Sequence, residues 1–330
     1  MDSSSLILSQ KSAFDTDFKG LISYGPDNLS FDQDLKERIR RDSKNSIKRT
    51  CPLTENIRIG ELLGEGAYGK VYKAFNLKDG KTIAVKVMKI SQQGQYEQKL
   101  EKIKMNLQKE ITLLKNLKHK NIINYLDSCI INDTDVNIYM EYMPGGSISS
   151  LIKEFGSMDE NAIRHFTRQL LSGLDYLHQN HIIHADLKGA NILFDGLDNI
   201  KLSDFGAAKF IENLSLLSVS QSEVCSSIQG SLYWMAPEMI QQKGYGRKID
   251  IWSLGCTIIE MATGNHPWPE VKNYPQLVME IISKRTPPIP AFLSIEAQDF
   301  IRQCLQYDKK LRPRPGDLLN HPFIINDPQQ

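Results

Sequence analysis

His184-Ala185-Asp186-Leu187-Lys188-Gly189-Ala190-Asn191, continued by Ile192-Leu193-Phe194, a turn at Asp195-Gly196, and Lys201-Leu202-Ser203-Asp204-Phe205-Gly206, is the stretch on which the reading of this 330-residue chain turns. Two acids, a lysine and an amide stand in short order around a strand-like apolar run. Taken singly, each half has a plain explanation. Asp-x-x-x-x-Asn is a common loop composition, and Asp-Phe-Gly makes an ordinary turn. The pair gains meaning only from its surroundings.

Upstream lies Gly64-Glu65-Gly66-Ala67-Tyr68-Gly69-Lys70-Val71. Such glycines let a tight hairpin lie close over phosphates, where a Cβ would collide and backbone N–H groups must face the ligand. The dinucleotide fingerprint has the same spacing but expects a helix straight after the loop. Here Val71-Tyr72-Lys73-Ala74-Phe75 continues as a strand. Next, Ile83-Ala84-Val85-Lys86-Val87 alternates, so Ala84 and Lys86 share one face while Ile83, Val85 and Val87 point to the core. A small residue beside a lysine suits an adenine wall followed by a phosphate ligand. Between Gly94 and Lys118 the periodicity predicts a helix, with Leu100, Ile103, Leu107, Ile111, Leu114 and Leu117 at spacings of three and four. Glu110 falls on that apolar face, where an unpaired carboxylate is costly. Lys86 is its natural partner; the alternative is two unrelated snorkelling charges.

Working outward, residues 1 to 56 are rich in Ser, Asp, Asn and Lys and read as a flexible, solvated extension ending in a basic run from Lys36 to Arg49. A docking or autoregulatory segment, with Ser43 behind Arg40-Arg41 as a phosphosite, is the sharper reading. Strand-rich sequence from Ile57 to about Tyr142 gives way after Gly145-Gly146 to helical periodicity, as in Ile163, Phe166, Leu170, Leu174 and Leu177. This predicts an α+β fold of two lobes with a cleft at the joint. The expected boundaries are 57–143 for the N-lobe and hinge, 144–325 for the C-lobe, and a tail over 326–330. Net charge is +1, with 40 basic and 39 acidic side chains, which gives no electrostatic case for nucleic acid. Cysteines 51, 129, 225, 256 and 304 form no C-x-x-C pair, which excludes a zinc framework and suits a reducing compartment, with cytoplasm the expected location. The chain starts without a secretion-signal pattern, and its longest apolar-looking stretch, Ile251 to Ala262, is broken by Ser253 and Glu260, so no membrane span is expected.

In this order and context the motifs resemble the eukaryotic protein kinase superfamily, serine/threonine type, from about Ile57 to Ile324. The flavour is most similar to mitogen-activated protein kinase kinase kinases. It rests on Glu141-Tyr142-Met143-Pro144-Gly145-Gly146-Ser147-Ile148, Asp204-Phe205-Gly206-Ala207-Ala208-Lys209, Gly230-Ser231-Leu232-Tyr233-Trp234-Met235-Ala236-Pro237-Glu238 and Ile249-Asp250-Ile251-Trp252-Ser253-Leu254-Gly255-Cys256.

The resemblance implies a bilobal kinase fold, with ATP and Mg²⁺ as cofactors. It gives Asp186 the incoming hydroxyl proton, Lys188 the charge on the transferring phosphoryl group, and Lys86, held by Glu110, the α- and β-phosphates. Asn191 and Asp204 become the metal ligands, hard oxygen donors of the kind Mg²⁺ takes. The nucleotide pocket becomes Leu63, Gly64, Glu65, Gly66, Ala67, Tyr68, Gly69, Val71, Ala84, Lys86, Met140 as gatekeeper, backbone groups of Glu141 and Met143, and Leu193. Leu114, Leu126, His184 and Phe205 are expected to stack as a spine anchored by Asp250, and Glu238 to pair with Arg312. Lys188 and Ser231 imply serine/threonine specificity, and protein substrates that are downstream kinases; the oligomeric state stays open. One departure stands out: Ala185 replaces the usual arginine, which puts control through a phosphorylated loop in doubt. The alternatives are a pseudokinase scaffold, a serine/threonine kinase outside that cascade, and a small-molecule phosphotransferase. The scaffold lacks support from Lys86, Asp186 and Asp204, all present, and the last is disfavoured by Ala236-Pro237-Glu238.

Overall fold

A computed structural model describes residues 56–66, 69–89, 117–131, 135–204, 231–241 and 246–326. The expected extension before residue 56, the helix over 94–116, Ala67, Tyr68, Glu110, Leu114, Phe205 and the serines between 215 and 227 lie outside them.

Five antiparallel strands open the fold: β1 (Ile57–Gly66), β2 (Gly69–Asn76), β3 (Lys81–Lys89), β4 (Tyr125–Ile131) and β5 (Asp135–Glu141), in the order β1-β2-β3-β5-β4. The glycine-rich stretch is the β1–β2 hairpin, closing at the Gly66–Gly69 pair. Gly69 has φ +128°, and a Cβ there would stand 2.1 Å from the Val87 carbonyl oxygen, so any other residue would push β2 off β3.

The alternation read in β3 is real, but its two faces serve differently from the expectation. Ile83 and Val85 pack in a small outer cluster with Ala74 and Tyr139, with Val87 against it. The opposite face, bearing Ala84 and Met88, joins the main core with Met140. Both sides of a central strand are buried, so alternation separated the faces without saying which was the larger core.

After the Gly145-Gly146 joint come α1 (Ile148–Phe155) and α2 (Glu160–Gln179). Ser147 caps α1 by accepting from Ser150 N, and Asp159 caps α2 by accepting from Ala162 N, each satisfying an orphan first-turn donor. Ile163, Leu170, Leu174 and Leu177 line the buried face of α2, as their spacing predicts. The hairpin β6 (Ile192–Phe194) and β7 (Ile200–Leu202) follows. An isolated parallel bridge joins Leu202 to Ile122, just before β4, and an antiparallel one joins Leu193 to Ser147 at the joint.

The remaining elements are α3 (Pro237–Ile240), α4 (Lys248–Thr263), α5 (Tyr274–Ile282), α6 (Ile295–Cys304), α7 (Pro315–Leu318) and α8 (Pro322–Ile325). Helix α4 is the axle of this lobe. Every residue from Ile249 to Ala262 is buried, so it is surrounded by protein rather than amphipathic. It supplies the long apolar stretch noted in the sequence, and no described helix is long and apolar enough to cross a membrane. Gly264, in the left-handed region, ends the helix with its N–H on the Glu260 carbonyl.

Candidate active site

The loop between α2 and β6 is held in an unfavourable shape by one buried carboxylate. Ala185 has φ +65°, a region that costs an L-residue about 1–2 kcal/mol. The fully buried Asp250 of α4 offsets this by accepting from His184 N at 3.0 Å and Ala185 N at 2.8 Å, and from His178 Nε2 at 2.7 Å. Burial alone would raise the Asp250 carboxyl, but the His178 bond and the other donors hold it below the ordinary carboxylate value. The expected anchoring by Asp250 is therefore made through backbone N–H groups.

From this bend the reactive side chains converge. Asn191 Nδ2 donates to both the carbonyl oxygen and Oδ2 of Asp186, each at 2.7 Å. Lys188 Nζ lies 3.1 Å from Asp186 Oδ2 and donates to Ser231 Oγ. Ser231 thus bonds Lys188. Because both Asn191 amide hydrogens are committed to Asp186, its Oδ1 turns the other way, as an acceptor suited to a hard cation.

Across the cleft, Lys86 Nζ of β3 lies 2.7 Å from Asp204 Oδ1, joining positions 118 apart in sequence. Asp204 follows β7 with φ +54°. Its burial pushes the carboxyl up, but the adjacent Lys86 ammonium, helped by Lys188, brings it below the ordinary value, so it is ionised at neutral pH. His184, fully buried, is pushed down by desolvation against the pull of Asp250 and Asp186 and remains neutral. Among the described residues no three His, Cys, Asp or Glu side chains form a metal cluster. Asp204 and Asn191 Oδ1 are a donor set that a Mg²⁺ sharing phosphate oxygens fits.

Among the described nucleotide-pocket candidates, Val71 pairs with Lys86 across β2–β3 and Ala84 with Met140 across β3–β5. Ala84, Met140 and Met143 are buried, and Val71 and Leu193 pack against the main core. Leu63, Gly64, Glu65 and Gly66 stand exposed on β1, where Glu65 pairs with Lys70 at 3.3 Å. Glu141 N donates to the Asn124 carbonyl at 3.0 Å, so its amide is not available to a ligand. Its carboxylate accepts from Asn124 N at 2.6 Å and Lys201 Nζ at 2.8 Å, a tie between the lobes that strand-like sequence gave no sign of.

The spine expectation needs one correction. Leu126 is 40% exposed, whereas Tyr125 is 5% exposed and sits in the main core. A register irregularity between Tyr125 and Asp127 sets the phase of β4, and it turns Tyr125 inward. The Glu238–Arg312 pair forms as expected, bidentate at 2.7 and 2.8 Å and buried.

Sequence reasoning missed Glu260 and Trp234. Glu260 of α4 accepts from Ser149 Oγ at 2.7 Å, Gly189 N at 2.9 Å and Trp234 Nε1 at 3.0 Å. The only signal was its place as a charged break in an apolar stretch.

Comparison with known proteins agrees with this arrangement. Residues 57–324 match the protein kinase domain. The chain is 45% identical over 268 residues to mitogen-activated protein kinase kinase kinase 2 of Arabidopsis thaliana, covering 81% of this chain and 40% of that one. It is 44% identical to mitogen-activated protein kinase kinase kinase A of Dictyostelium discoideum, covering 81% and 28%. With mitogen-activated protein kinase kinase kinase 19 of Homo sapiens it shares 42% identity, covering 86% and 21%. The chain spans less than half the length of these relatives.

Proposed function

The chain belongs to the protein kinase domain family, and from that premise we propose that it transfers the γ-phosphoryl group of ATP to serine and threonine hydroxyls of protein substrates, namely downstream kinases of a mitogen-activated cascade. The domain runs over 57–325, with lobes at 57–143 and 144–325. The observation that supports this best is the 2.7 Å Lys86–Asp204 contact, which sets a phosphate-binding cation and a metal-binding anion facing each other beside Asp186.

In this mechanism Asp186 accepts the proton of the substrate hydroxyl. The hydroxyl oxygen bonds to the γ-phosphorus as the bond to the β,γ-bridging oxygen breaks, and ADP leaves. Lys188, between Asp186 and Ser231, balances charge on the transferring group and holds the peptide platform to the base. Lys86, with Glu110 as its proposed partner, orients the phosphates. Asp204 and Asn191 would hold Mg²⁺, which would supply positive charge against the phosphates. Ala84, Val71, Leu63 and Leu193 sandwich adenine, Met140 closes the back, and Met143 and Glu141 face it from the hinge. Gly64, Glu65, Gly66, Ala67, Tyr68 and Gly69 cover the phosphates. Because Ala185 supplies no arginine to clamp a loop phosphate, activity depends less on activation-loop phosphorylation than in arginine-bearing relatives. We place the protein in the cytoplasm.

The test is purified protein with ATP-Mg²⁺, a generic basic protein and a panel of cascade kinases, followed by phosphoamino-acid analysis. Phosphoserine and phosphothreonine are expected. Predominant phosphotyrosine rejects the specificity, and transfer no greater than that of Lys86→Met leaves the scaffold reading. Phosphatase treatment is expected to change activity by no more than a few-fold; a loss of two orders of magnitude overturns the Ala185 argument.

A further inference from the structure

The catalytic loop hangs from one helix at two points. Asp250, at the start of α4, takes the N–H groups of His184 and Ala185, before Asp186. Ten positions on, Glu260 takes the N–H of Gly189, after Lys188. The loop's working residues, Asp186 and Lys188, lie between these two carboxylates.

Glu260 also joins two other segments. Its Oε1 accepts from Ser149 of α1, the helix that leaves the hinge, and its Oε2 accepts from Trp234 Nε1, three residues after Ser231. The Trp234 carbonyl is in turn held by Ser253 Oγ of α4 at 2.8 Å. Ser253 and Glu260, within the apolar stretch of α4, therefore bond the catalytic loop or the platform facing it. Glu260 is 6% exposed and its oxygens already accept three donors, so it is sealed from substrate and acts through its neighbours.

The fit leaves no slack. A Cβ at Gly189 would stand 2.5 Å from Glu260 Oε1 and 2.7 Å from Ser149 Oγ. Glycine at this position lets the loop backbone approach the carboxylate closely enough to bond. The 3₁₀ turn Gly189–Asn191 starts from that bond, and Asn191 holds Asp186 at its end. Displacing Gly189 therefore displaces the base and Lys188 together.

We infer that Glu260 is a positioning residue, which fixes the far end of the catalytic loop against the peptide platform so that Asp186 and Lys188 are held in register with the incoming hydroxyl. The inference rests on the kinase reading. It concerns the chemical step and not nucleotide binding, because none of the three bonds involves a residue of the proposed ATP pocket. Misplacement of about 1 Å can cost about a hundredfold in rate, and loss of one of two anchors is expected to cost somewhat less.

Steady-state kinetics on the full chain tests it. Glu260→Leu is expected to lower kcat about thirtyfold, with the KM for ATP within about twofold of wild type. Glu260→Gln can turn its oxygen to Gly189 and Trp234 and its NH₂ to Ser149 Oγ, which also accepts, so it should recover kcat to within about fivefold of wild type. Trp234→Phe, which deletes one donor only, is expected to cost about threefold in kcat. An unchanged kcat in Glu260→Leu overturns the inference, as does a parallel loss of kcat and ATP affinity that glutamine does not rescue. Should the leucine variant not fold, the glutamine and phenylalanine variants decide: wild-type kcat in Trp234→Phe, or a glutamine variant as damaged in ATP affinity as in kcat, rejects it. Absence of transfer by wild-type protein rejects the kinase reading itself, a separate outcome.

Discussion

Strand β1 and helix α4 treat solvent in opposite ways. Every residue of β1 after Ile57 is exposed, including Ile59 at 52% and Leu62 at 49%. Along α4, everything from Ile249 to Ala262 is buried. The glycine-bearing strand covers its proposed ligand from outside and borrows little from the core. The helix holds no ligand, yet its Asp250 and Glu260 shape the loop that carries Asp186. The loop that carries Asp186 is held from the interior of the helical lobe, while β1 lies exposed.

The largest effect that could break this contrast lies at the buried ion pair beside α4. Arg312 also stacks its guanidinium 5.1 Å from the Trp252 ring and bonds the Lys248 carbonyl. Arg312→Leu leaves Glu238 buried and unpaired, and should destabilise the fold by about 3–5 kcal/mol in urea unfolding. Replacing both partners by leucine should restore part of that, since the unpaired charge is the larger cost. A melting curve unmoved by Arg312→Leu means the helical interior is less committed than its burial indicates.

At the cleft, Asp204→Asn removes preorganised charge facing Lys86 and should lower turnover by about a hundredfold or more, near 2.7 kcal/mol. Folding should survive, because the neutral amide relieves the burial of a carboxylate. Radiolabel transfer at saturating ATP measures it, and a loss of less than tenfold shifts the weight of catalysis elsewhere.

Acidification sharpens the same comparison. His184, His119 and His266 are all pushed below the ordinary histidine value by burial, with Lys120 adding to the effect at His119. Below about pH 6.5 the unfolded chain binds protons that the folded chain refuses, so stability falls as pH drops from 7 toward 5. Glu260, raised by burial, works in the opposite sense nearer its own range, which makes the decline steepest in the upper part of the window. Urea midpoints across pH 5–7.5 check the sign; a midpoint that rises on acidification contradicts it.

The smallest effect belongs to β1. Ile59→Ser takes away a side chain already half in water and should shift stability by no more than about 0.5 kcal/mol. A larger loss in the urea midpoint would show that something covers this face.

Much of the site was legible because kinase chemistry needs particular groups at particular spacings. Lys86, Asp186, Asn191 and Asp204 carry charge or amide oxygens that no neighbour can substitute, so they mark themselves in one dimension. The Glu238–Arg312 pair was readable only through the family resemblance. Leu126 was misread because the resemblance put the spine on β4 without fixing its phase, which a single irregularity decides. Glu260 passed unread because a charged residue in an apolar helix has no visible partner until Ser149, Gly189 and Trp234 are brought around it.

The sequence alone determined the family, the lobe order and the helical face of α2, because motif spacing and periodicity are local properties. Tertiary structure alone decided which face of β3 meets the main core, that Tyr125 and not Leu126 is buried, that Ala185 is bent into a left-handed turn by Asp250, and that one helix holds both ends of the catalytic loop. The last two outcomes depend on hydrogen bonds between segments 65 to 71 positions apart, and such partners have no spacing to betray them.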